Sequence, residues 1–533
     1  MVDSVKPLTF SDKFKNEFLS VDESNEKILL DKIKTIFDVL RDNKTNSARR
    51  DIAPFRYDKN ILNSDFFCTD GHDFDVLCRD IKDAFGGTIK WHSPYAAFNI
   101  TPTPIMSAVA VSTITQLLNP NSLWDITGGK TLLYENKIIN MLGRTILKTS
   151  NVSGFSTFGG KATLLYAIKS GIVNCDGLHK KQGLHGQYVV FASSLAHYSL
   201  EDLCDYLGLG TDAVKRVPTD EAAEMRYDLL EQYISDALSH GKKIAAIICN
   251  GGTTIDFAVD NVKKIRIICD KQRKKYQIPY DIYIHGDTVF GWAWLLLNRR
   301  KLDMYPKAIK KKLDTIYKKL LPMRYADSIG ADFHKMLLCP YISSFFVTKG
   351  TKARNSLGGF YSQKKNAYFG DLHPHYNTLE NSRSASGIMS AYAALCLLGK
   401  NGITEYIGYL YGIQLTMLEL IDKFYSKTFR VLNSKSPGFE IVLEINIDGK
   451  VFDEPQYLHL CESLRLQDDT IMVSSVFGYS CEDNTKKSGL LLYSMSPHAT
   501  QKSCEILLRK IATQAKITAK TSCKHNTNIF VPK

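Results

Sequence analysis

One lysine lies where polar residues give way to an apolar run, and that position suits a nucleophile. Lys335 is found in ADSIGADFHKMLLCP, between the polar ADFH and the apolar MLLCP. A lysine in such a run is expected to be partly desolvated, which lowers its pKa and makes its amine nucleophilic towards an aldehyde. An isolated lysine can also extend along an apolar surface and keep its ammonium group in solvent. The local context favours the nucleophile.

Two further side chains follow short apolar runs and complement a lysine chemically. Asp287 ends the run YDIYIHGD among small and apolar neighbours, so its carboxylate needs a cationic partner if it is buried. An N-cap or a structural salt bridge is the alternative for this residue. His197, in SLAHYSLEDL, lies between a predicted strand and a predicted helix, where an imidazole can cover an aromatic ring. A structural histidine is the alternative there.

A pair of glycines opens a predicted helix and suits phosphate binding. Gly159 and Gly160 lie in FSTFGGKATLLYAIKSG, just before the helical pattern begins. Free backbone N–H groups at a helix N-terminus bind phosphate, and glycines allow the phosphate to approach closely. Because Gly-Gly pairs also form ordinary turns, this motif points to one cofactor only in combination with Lys335, Asp287 and His197.

The elements between these residues predict an α/β fold. Short apolar runs alternate with helical patterns between about residues 91 and 380, which is typical of a largely parallel sheet covered on both faces. Ligands bind at the carboxyl ends of the strands in such sheets. We therefore expect the site near Asn250, Thr253 and Asp287. The predicted strands include residues 187–193, 243–250, 280–287 and 343–348.

The pattern changes twice along the chain and predicts three parts. Residues 1–90 are predicted to form a helical segment, with an amphipathic helix beginning near Ile28. Residues 91–400 are predicted to form the large domain that carries the site. Residues 401–533, which include the alternating FEIVLEINIDGK, are predicted to form a small α+β domain.

Composition and charge argue against several classes of protein. The formal net charge is +13, but the lysines are spread widely, and the densest cluster, Lys307 to Lys319, has the spacing of a solvated helix face. No apolar run reaches the roughly 20 residues that span a bilayer. The twelve cysteines include no CxxC pair, which favours reduced thiols over a metal site. We expect a cytoplasmic protein that binds neither nucleic acid, membrane nor metal.

Together these motifs resemble, in order and spacing, the group II pyridoxal-phosphate-dependent decarboxylases that act on glutamate, aromatic amino acids or tyrosine. STFGGKATLL matches the phosphate segment TSGGTEANLL of that family, and AHYSLEDLCDYLGLG matches its histidine segment. GGTTIDFAVDNV, IHGDTVFGW and ADSIGADFHKM match its AGTT, HVDAAYGG and ADSxxxDPHKW segments. The resemblance covers about residues 90–425.

The resemblance implies the fold, the cofactor and the roles of the residues. The fold is type I of the pyridoxal-phosphate enzymes, which is aspartate aminotransferase-like, with a mainly parallel seven-stranded sheet. Lys335 would form an aldimine with pyridoxal phosphate, Asp287 would bind the pyridinium nitrogen and His197 would stack on the ring. The remaining implied contacts are to the phosphate and the ring substituents, from Gly159, Gly160, His334 and Thr253.

The implied reaction is loss of carbon dioxide from an L-amino acid to give the amine, through a quinonoid carbanion, in a homodimer. The resemblance also implies a tyrosine that protonates Cα from a loop after the lysine, and Tyr368 in GGFYSQKKNAYFGDLHPHYN is the candidate, with Tyr361 and Tyr376 as alternatives. Thr101 and Thr103 are candidates for contacts with the substrate.

The chain departs from the family at several positions near the site. Phe158, Gly160 and Lys161 replace a glycine, a threonine and an acidic residue of the phosphate segment. Phe333 and Met336 replace the proline and the tryptophan around the lysine. These departures are expected to reshape the pocket, so the resemblance does not transfer a substrate.

Two alternative functions stay open at this point. The Ser-Arg-Ser segment around Arg383 also resembles the pyridoxal-phosphate carbon–carbon lyases that act on phosphorylated sphingoid bases. The altered phosphate segment is compatible with a non-catalytic member that kept the fold. Retention of Lys335, Asp287 and His197 argues against the non-catalytic member.

Overall fold

The computed structural model of the chain describes residues 17–42, 44–50, 71–350, 357, 372–480 and 485–520. Within them the strands form two sheets. The strands are β1 Ala96–Ala97, β2 Val152–Thr157, β3 Tyr188–Ser193, β4 Val214–Val217, β5 Lys243–Asn250, β6 Ile284–Asp287, β7 Ser328–Asp332, β8 Ser344–Lys349, β9 Phe429–Val431, β10 Ile441–Ile447, β11 Lys450–Val451, β12 Met472–Ser480 and β13 Lys486–Leu492.

Helices flank both sheets. The α-helices are α1 Glu26–Leu40, α2 Phe74–Ala84, α3 Met106–Leu118, α4 Asp125–Gly128, α5 Thr131–Leu142, α6 Gly160–Cys175, α7 His179–Gln182, α8 Leu200–Tyr206, α9 Tyr227–Ser239, α10 Val262–Tyr276, α11 Lys307–Leu320, α12 Phe333–Met336, α13 Ser386–Leu420 with a kink at Gly399, α14 Glu454–Arg465 and α15 Gln501–Lys520. Short 3₁₀ or π turns cover Gly143–Leu147, Thr211–Ala213, Gly291–Leu296, Arg299–Met304, Leu321–Tyr325, Pro374–Tyr376 and Ile421–Tyr425.

The large sheet has seven strands in the order β2-β8-β7-β6-β5-β3-β4. All pairs are parallel except those of β8, which runs antiparallel to both β2 and β7. Strand β5 is buried along its whole length after Lys243, because α-helices cover both faces of the sheet and leave no solvent-facing side. The predicted α/β class and mainly parallel seven-stranded sheet are confirmed.

The second sheet is mostly antiparallel and lies in the C-terminal part of the chain. Its order is β1-β12-β13-β10-β11, with β9 paired to β10. Strand β1, from before the large sheet, pairs in parallel with β12, while helix α13 continues across residue 400. The three-part division at residues 90 and 400 therefore stays a prediction, although the predicted C-terminal strand is present as Ile441–Ile447.

The segments predicted to be helical are helices in the structure. They include the lysine-rich cluster from Lys307 to Lys319, which lies in α11. In α11 the apolar residues Ile309, Leu313 and Ile316 are buried. Lys311 and Lys318 are exposed on the other face of the helix, whereas Lys312 is half-buried and donates to Gln414 Oε1 at 3.0 Å. The helix predicted near Ile28 is α1, but none of its residues is buried. No helix in the described ranges is long and apolar enough to cross a membrane. The cytoplasmic location and the absence of a nucleic-acid partner stay predictions.

The C-terminal sheet clamps the turn that follows β5. The Tyr493 hydroxyl donates to the Thr254 carbonyl, and the backbone N–H of Asp256 donates to Glu440 Oε1 at 2.9 Å. Tyr479 donates to Asp256 Oδ1 at 3.0 Å. Burial raises the pKa of Asp256 to about 6, and burial together with the nearby Asp256 raises the pKa of Glu440 to about 7. Two buried carboxyl groups therefore take up protons near neutral pH.

This pair makes stability depend on pH. The pKa values of both groups are higher in the folded than in the unfolded chain. Their contribution to the free energy of unfolding is therefore fully present below about pH 4. It is lost as the pH rises through the folded pKa values of about 6 and about 7. The free energy of unfolding of the wild type should fall as the pH is raised from about 5 to about 8. In Glu440→Gln this fall should be smaller by on the order of 2 kcal/mol. Urea unfolding at the two pH values measures the difference. The exposed Glu405→Gln variant is the matched control, and an unchanged pH dependence in Glu440→Gln would contradict the assignment.

Candidate active site

Polar side chains converge at one edge of the large sheet because its parallel strands end there. Asp287 ends β6 in register with Asn250, the last residue of β5. Asp332 ends β7 in register with Ser344, the first residue of the antiparallel β8, and Ser344 also pairs with Thr157 at the end of β2. This edge is where ligands bind in open α/β sheets.

Lys335 lies in the one-turn helix α12, directly after β7. Its Nζ is 3.3 Å from Asp332 Oδ2, and its side chain is 23% exposed. The neighbouring Phe333 and Met336 are fully buried, and the Phe333 ring packs against Trp292 with ring centroids 4.5 Å apart. Their side chains anchor the turn in the core, and the expectation that these two substitutions reshape the pocket stays a prediction. Lys335 is thereby held at the sheet edge with its amine accessible.

Asp287 carries a shielded carboxylate oxygen with no hydrogen-bond partner among the described residues. The residue as a whole is half-buried, but Oδ1 is closed off from solvent. Burial raises the pKa of Asp287 to about 6, and the nearby Lys335 opposes that rise. An unpaired buried carboxylate is costly. A cationic ring nitrogen at this position would satisfy Asp287, so the residue fits the predicted cofactor.

His197 lies at the open rim of the cleft, on the loop between β3 and α8. Its Nδ1 is 2.7 Å from Ser199 Oγ, and its ring stacks on Tyr198 at 4.4 Å. Arg216 fixes the loop by donating to the carbonyls of Ala196 and His197 at 2.7 and 3.1 Å. Although part of the ring faces solvent, shielding by the protein and then the charge of Lys335 lower its pKa to about 4. The imidazole is neutral at physiological pH and can cover a ring face.

The glycine pair forms the N-terminus of helix α6 at the same edge. Gly159 has φ +130°, a conformation that favours glycine, and no atom outside its own neighbours lies within 4 Å of where a Cβ would be. At Gly160 a Cβ would lie 2.7 Å from Asp332 Oδ2, so the absence of a side chain leaves room for that carboxylate. The helix N-terminus and the open space at Gly159 suit a phosphate.

Thr253, His334 and Thr101, the other predicted site residues, differ in their contacts with the residues around Lys335. The Thr253 hydroxyl accepts from Ala258 N–H at 2.8 Å within its own turn. His334 is buried, with Nε2 3.4 Å from Asp332 Oδ2 and its ring 4.5 Å from that of Tyr341. Thr101 Oγ1 is 3.4 Å from the Tyr341 hydroxyl. A chain of contacts through Tyr341, His334 and Asp332 therefore connects Thr101 with Lys335.

The roles of four of the predicted residues rest on the resemblance alone. Tyr361 and Tyr368 lie outside the described residues. Tyr376 packs against His375, with ring centroids 4.1 Å apart, beside a cavity of about 1130 Å³ along the outer face of α6. Thr103 is half-buried in the segment before α3. The roles of these four residues stay predictions.

The sequence analysis assigned no role to Asp332, Ser344 or Tyr341, although Asp332 matches the second D of ADSxxxDPHKW. Asp332 is buried beside Lys335, and its position three residues earlier on the same short turn is the signal that could have identified it. Ser344 and Tyr341 lie beyond the HK pair, where no motif marks them. Their contribution depends on how β8 returns to the sheet edge.

Arg383 has a structural environment. It is buried and pairs with the buried Glu135, and it donates to Ser156 Oγ at 2.6 Å. Glu135 in turn accepts from the Ser156 N–H at 2.6 Å. The pair therefore fixes the end of β2, from which the Gly159-Gly160 turn begins.

The sequence profile of the pyridoxal-dependent decarboxylase conserved domain matches residues 62–442, which is more than half of the 533-residue chain. The chain therefore belongs to the pyridoxal-dependent decarboxylase family. The cofactor of the site is accordingly pyridoxal phosphate, in agreement with the environment of Asp287.

Relatives with named activities are similar at low identity. The chain is 26% identical to the L-2,4-diaminobutyrate decarboxylase of Acinetobacter baumannii over 275 residues, which are 49% of each chain. It is 27% identical to the tryptophan decarboxylase of Clostridium sporogenes over 307 residues, 56% of this chain and 65% of that one. The chain spans about half to two thirds of the length of these two relatives.

Solved structures share the fold. Mouse CSAD in its apo form superposes with a TM-score of 0.77 at 17% identity, covering 92% of this chain and 99% of that one. The Catharanthus roseus tryptophan decarboxylase in complex with L-tryptophan gives a TM-score of 0.74 at 15% identity, covering 96% and 100%. The predicted fold type is confirmed.

Asp287→Asn tests the role of the shielded carboxylate. The variant keeps the shape of the side chain but cannot pair as an anion with the ring nitrogen. Because loss of one partner of a buried ion pair costs about 3–5 kcal/mol, cofactor affinity should fall by roughly 100-fold or more. Absorbance titration of the cofactor-free protein with pyridoxal phosphate measures the affinity. Asp287→Glu, which keeps the charge, should lose less, and wild-type affinity in Asp287→Asn would refute the assignment.

Proposed function

We propose that this chain is a pyridoxal-phosphate-dependent decarboxylase that converts an L-amino acid to its amine and carbon dioxide. The observation that carries the proposal is the shielded, unpartnered Oδ1 of Asp287 at the strand edge that also carries Lys335. Family membership independently supports the reaction class.

The residues at the edge fit the cofactor. Lys335 would hold its aldehyde carbon, Asp287 its ring nitrogen and His197 one face of its ring. Gly159 and Gly160 would receive the phosphate at the N-terminus of α6. When bound, the cofactor supplies an electron-accepting ring that stabilises negative charge at the substrate Cα.

The chain's own residues supply binding, orientation and a proton. Asp287, anionic when paired, keeps the ring nitrogen protonated. The neutral His197 shields the ring face without adding a second cation beside Lys335. A tyrosine hydroxyl, proposed to be that of Tyr368, gives the proton to Cα after carbon dioxide leaves. Before that step, the orientation of the Cα–carboxylate bond relative to the ring decides that this bond, rather than another at Cα, breaks.

The substrate class is an amino acid, with the side chain still to be determined. The relatives are named for diaminobutyrate and tryptophan, which differ in charge and shape. Thr101 and Tyr341, whose hydroxyl groups lie 3.4 Å apart, are candidates for the contact with the side chain. Thr103 is the other candidate.

The environment of Arg383 weighs against the carbon–carbon lyase. That alternative was suggested by the Ser-Arg-Ser segment, but the Arg383 guanidinium is buried against Glu135 and the end of β2. The Arg383 guanidinium therefore stabilises the fold around the end of β2. Retention of Lys335 and Asp287 weighs against a non-catalytic member.

Carbon dioxide release tests the function directly. Purified protein with pyridoxal phosphate should release carbon dioxide and form the amine from at least one common L-amino acid. Lys335→Ala should abolish both turnover and the borohydride-trapped cofactor adduct. Tyr368→Phe should still bind the cofactor but lose most amine formation. The proposal fails if the wild type forms the adduct but releases no carbon dioxide from any of these amino acids, or if Lys335→Ala retains the adduct.

We also propose that the enzyme is a homodimer. Large apolar side chains are exposed on adjacent helices: Met106 is 89% exposed on α3, Leu133 55% on α5 and Leu397 60% on α13. Helix α13 contacts both of the other helices, so these side chains belong to one helical layer. Exposed apolar groups on one layer mark an interaction surface. A second copy of this chain is the proposed occupant.

A charge placed on this layer tests the dimer. The wild type should sediment at twice 60.0 kDa, and Leu133→Glu should shift the mass towards 60.0 kDa. Ile267→Glu is the matched control because Ile267 is similarly exposed, at 59%, but lies on α10. A wild-type mass of 60.0 kDa, or an unchanged mass in Leu133→Glu, would contradict the proposed interface.

A further inference from the structure

Asp332 is the carboxylate that pairs with the amine of Lys335. It is 2% exposed at the end of β7, and its Oδ2 lies 3.3 Å from Lys335 Nζ. Ser344 Oγ donates to Oδ1 at 2.7 Å, and Trp292 Nε1 donates to the Asp332 carbonyl at 3.0 Å. Both the carboxylate and its backbone are therefore held in place.

The Asp332 carboxylate lies at the N-terminus of helix α6. A Cβ on Gly160 would lie 2.7 Å from Oδ2, so the carboxylate lies against the first residue of the 16-residue helix α6. The positive end of a helix dipole stabilises an anion there. The missing side chain at Gly160 therefore serves two purposes: it lets a phosphate approach, and it leaves room for the Asp332 carboxylate.

Four other titratable groups among the described residues act on Lys335 or on its neighbours. Asp287 attracts it from the end of β6, whereas His197 and His334 are neutral when their pKa values are lowered by burial. Lys161, from α6, acts on His197 and is paired with Asp202 at 2.9 Å. Since the proposed function commits Asp287 to the ring nitrogen, Asp332 is the anion left for the lysine.

We propose that Asp332 is a positioning residue that holds the Lys335 amine as an ammonium ion whenever the lysine is released from the cofactor. The inference rests on the proposed function. On release, the bond between the cofactor carbon and Lys335 Nζ would break as that carbon bonds the substrate nitrogen. The substrate ammonium group would lose two protons in this exchange, and both would move to Nζ, which carries one proton while it is bonded to the cofactor. Asp332 then pairs with the resulting charge and keeps the lysine beside the site for its return.

The proposal predicts that loss of the carboxylate makes the Lys335 amine less basic. The full-length chain, stripped of cofactor, is treated with trace acetic anhydride across a pH series, and acetylation at Lys335 is quantified by mass spectrometry. In Asp332→Asn the midpoint should fall by about one pH unit, which raises labelling at a pH below the midpoint roughly tenfold. Asp332→Glu should restore most of the wild-type midpoint.

Two further variants separate this role from a general effect on charge or folding. Asp202→Asn removes a nearby carboxylate that does not contact Lys335, and it should leave the midpoint unchanged. Gly160→Ala keeps every charge but introduces a Cβ that displaces the Asp332 carboxylate, so it should lower the midpoint. If Asp332→Asn does not fold, Gly160→Ala provides the test. A wild-type midpoint in the folded variant would overturn the proposal.

The outcome is distinguishable from failure of the proposed function. Reloading the wild type with pyridoxal phosphate and trapping with borohydride reports whether Lys335 bonds the cofactor at all. Absence of that adduct contradicts the proposed function whatever the labelling shows. An adduct on Lys335 together with a wild-type labelling midpoint in Asp332→Asn contradicts only the role of Asp332.

Discussion

Two carboxylates and one lysine meet at an edge of the sheet that is largely shielded from water, and much of the site depends on how their charges balance. Asp287 and Asp332 end adjacent strands, and Lys335 interacts with both. One cation cannot fully satisfy two buried anions, because each unpaired charge keeps its desolvation cost. The ring nitrogen of the cofactor supplies the second cation, so cofactor binding completes an ion pair that the protein alone leaves open.

The scaffold uses its strongest polar contacts to fix the loops around this edge. Arg383 and Glu135 hold the end of β2, which leads to the glycine pair. Arg216 holds the carbonyls of the loop that presents His197. These cations bind backbone carbonyls and structural carboxylates. Geometry held by such supporting contacts is what a positioned catalytic group requires.

The C-terminal sheet contributes to the site at a distance. Through Tyr493 and Glu440 it holds the turn that carries Thr253, directly after β5. The backbone N–H of Gly251, in the same turn, donates to the Asp287 carbonyl at 2.8 Å. The C-terminal sheet is therefore also connected with the end of β6. The two sheets are thus joined where the cofactor ring is expected to lie.

Local patterns determined the strands, the helices and the order of the motifs, because apolar periodicity and glycine pairs act over a few residues. They were sufficient for the large sheet and for Lys335, Asp287 and the glycine pair at one edge of it. They gave no indication that Phe333 and Met336 are buried, and the Phe333 ring packs against Trp292 and Phe345 from other segments. Only the tertiary structure brought Asp332 against Gly160 and enclosed Arg383 with Glu135. Those contacts join residues far apart in the chain, and burial, which decides their charge and partners, arises only when the elements pack together.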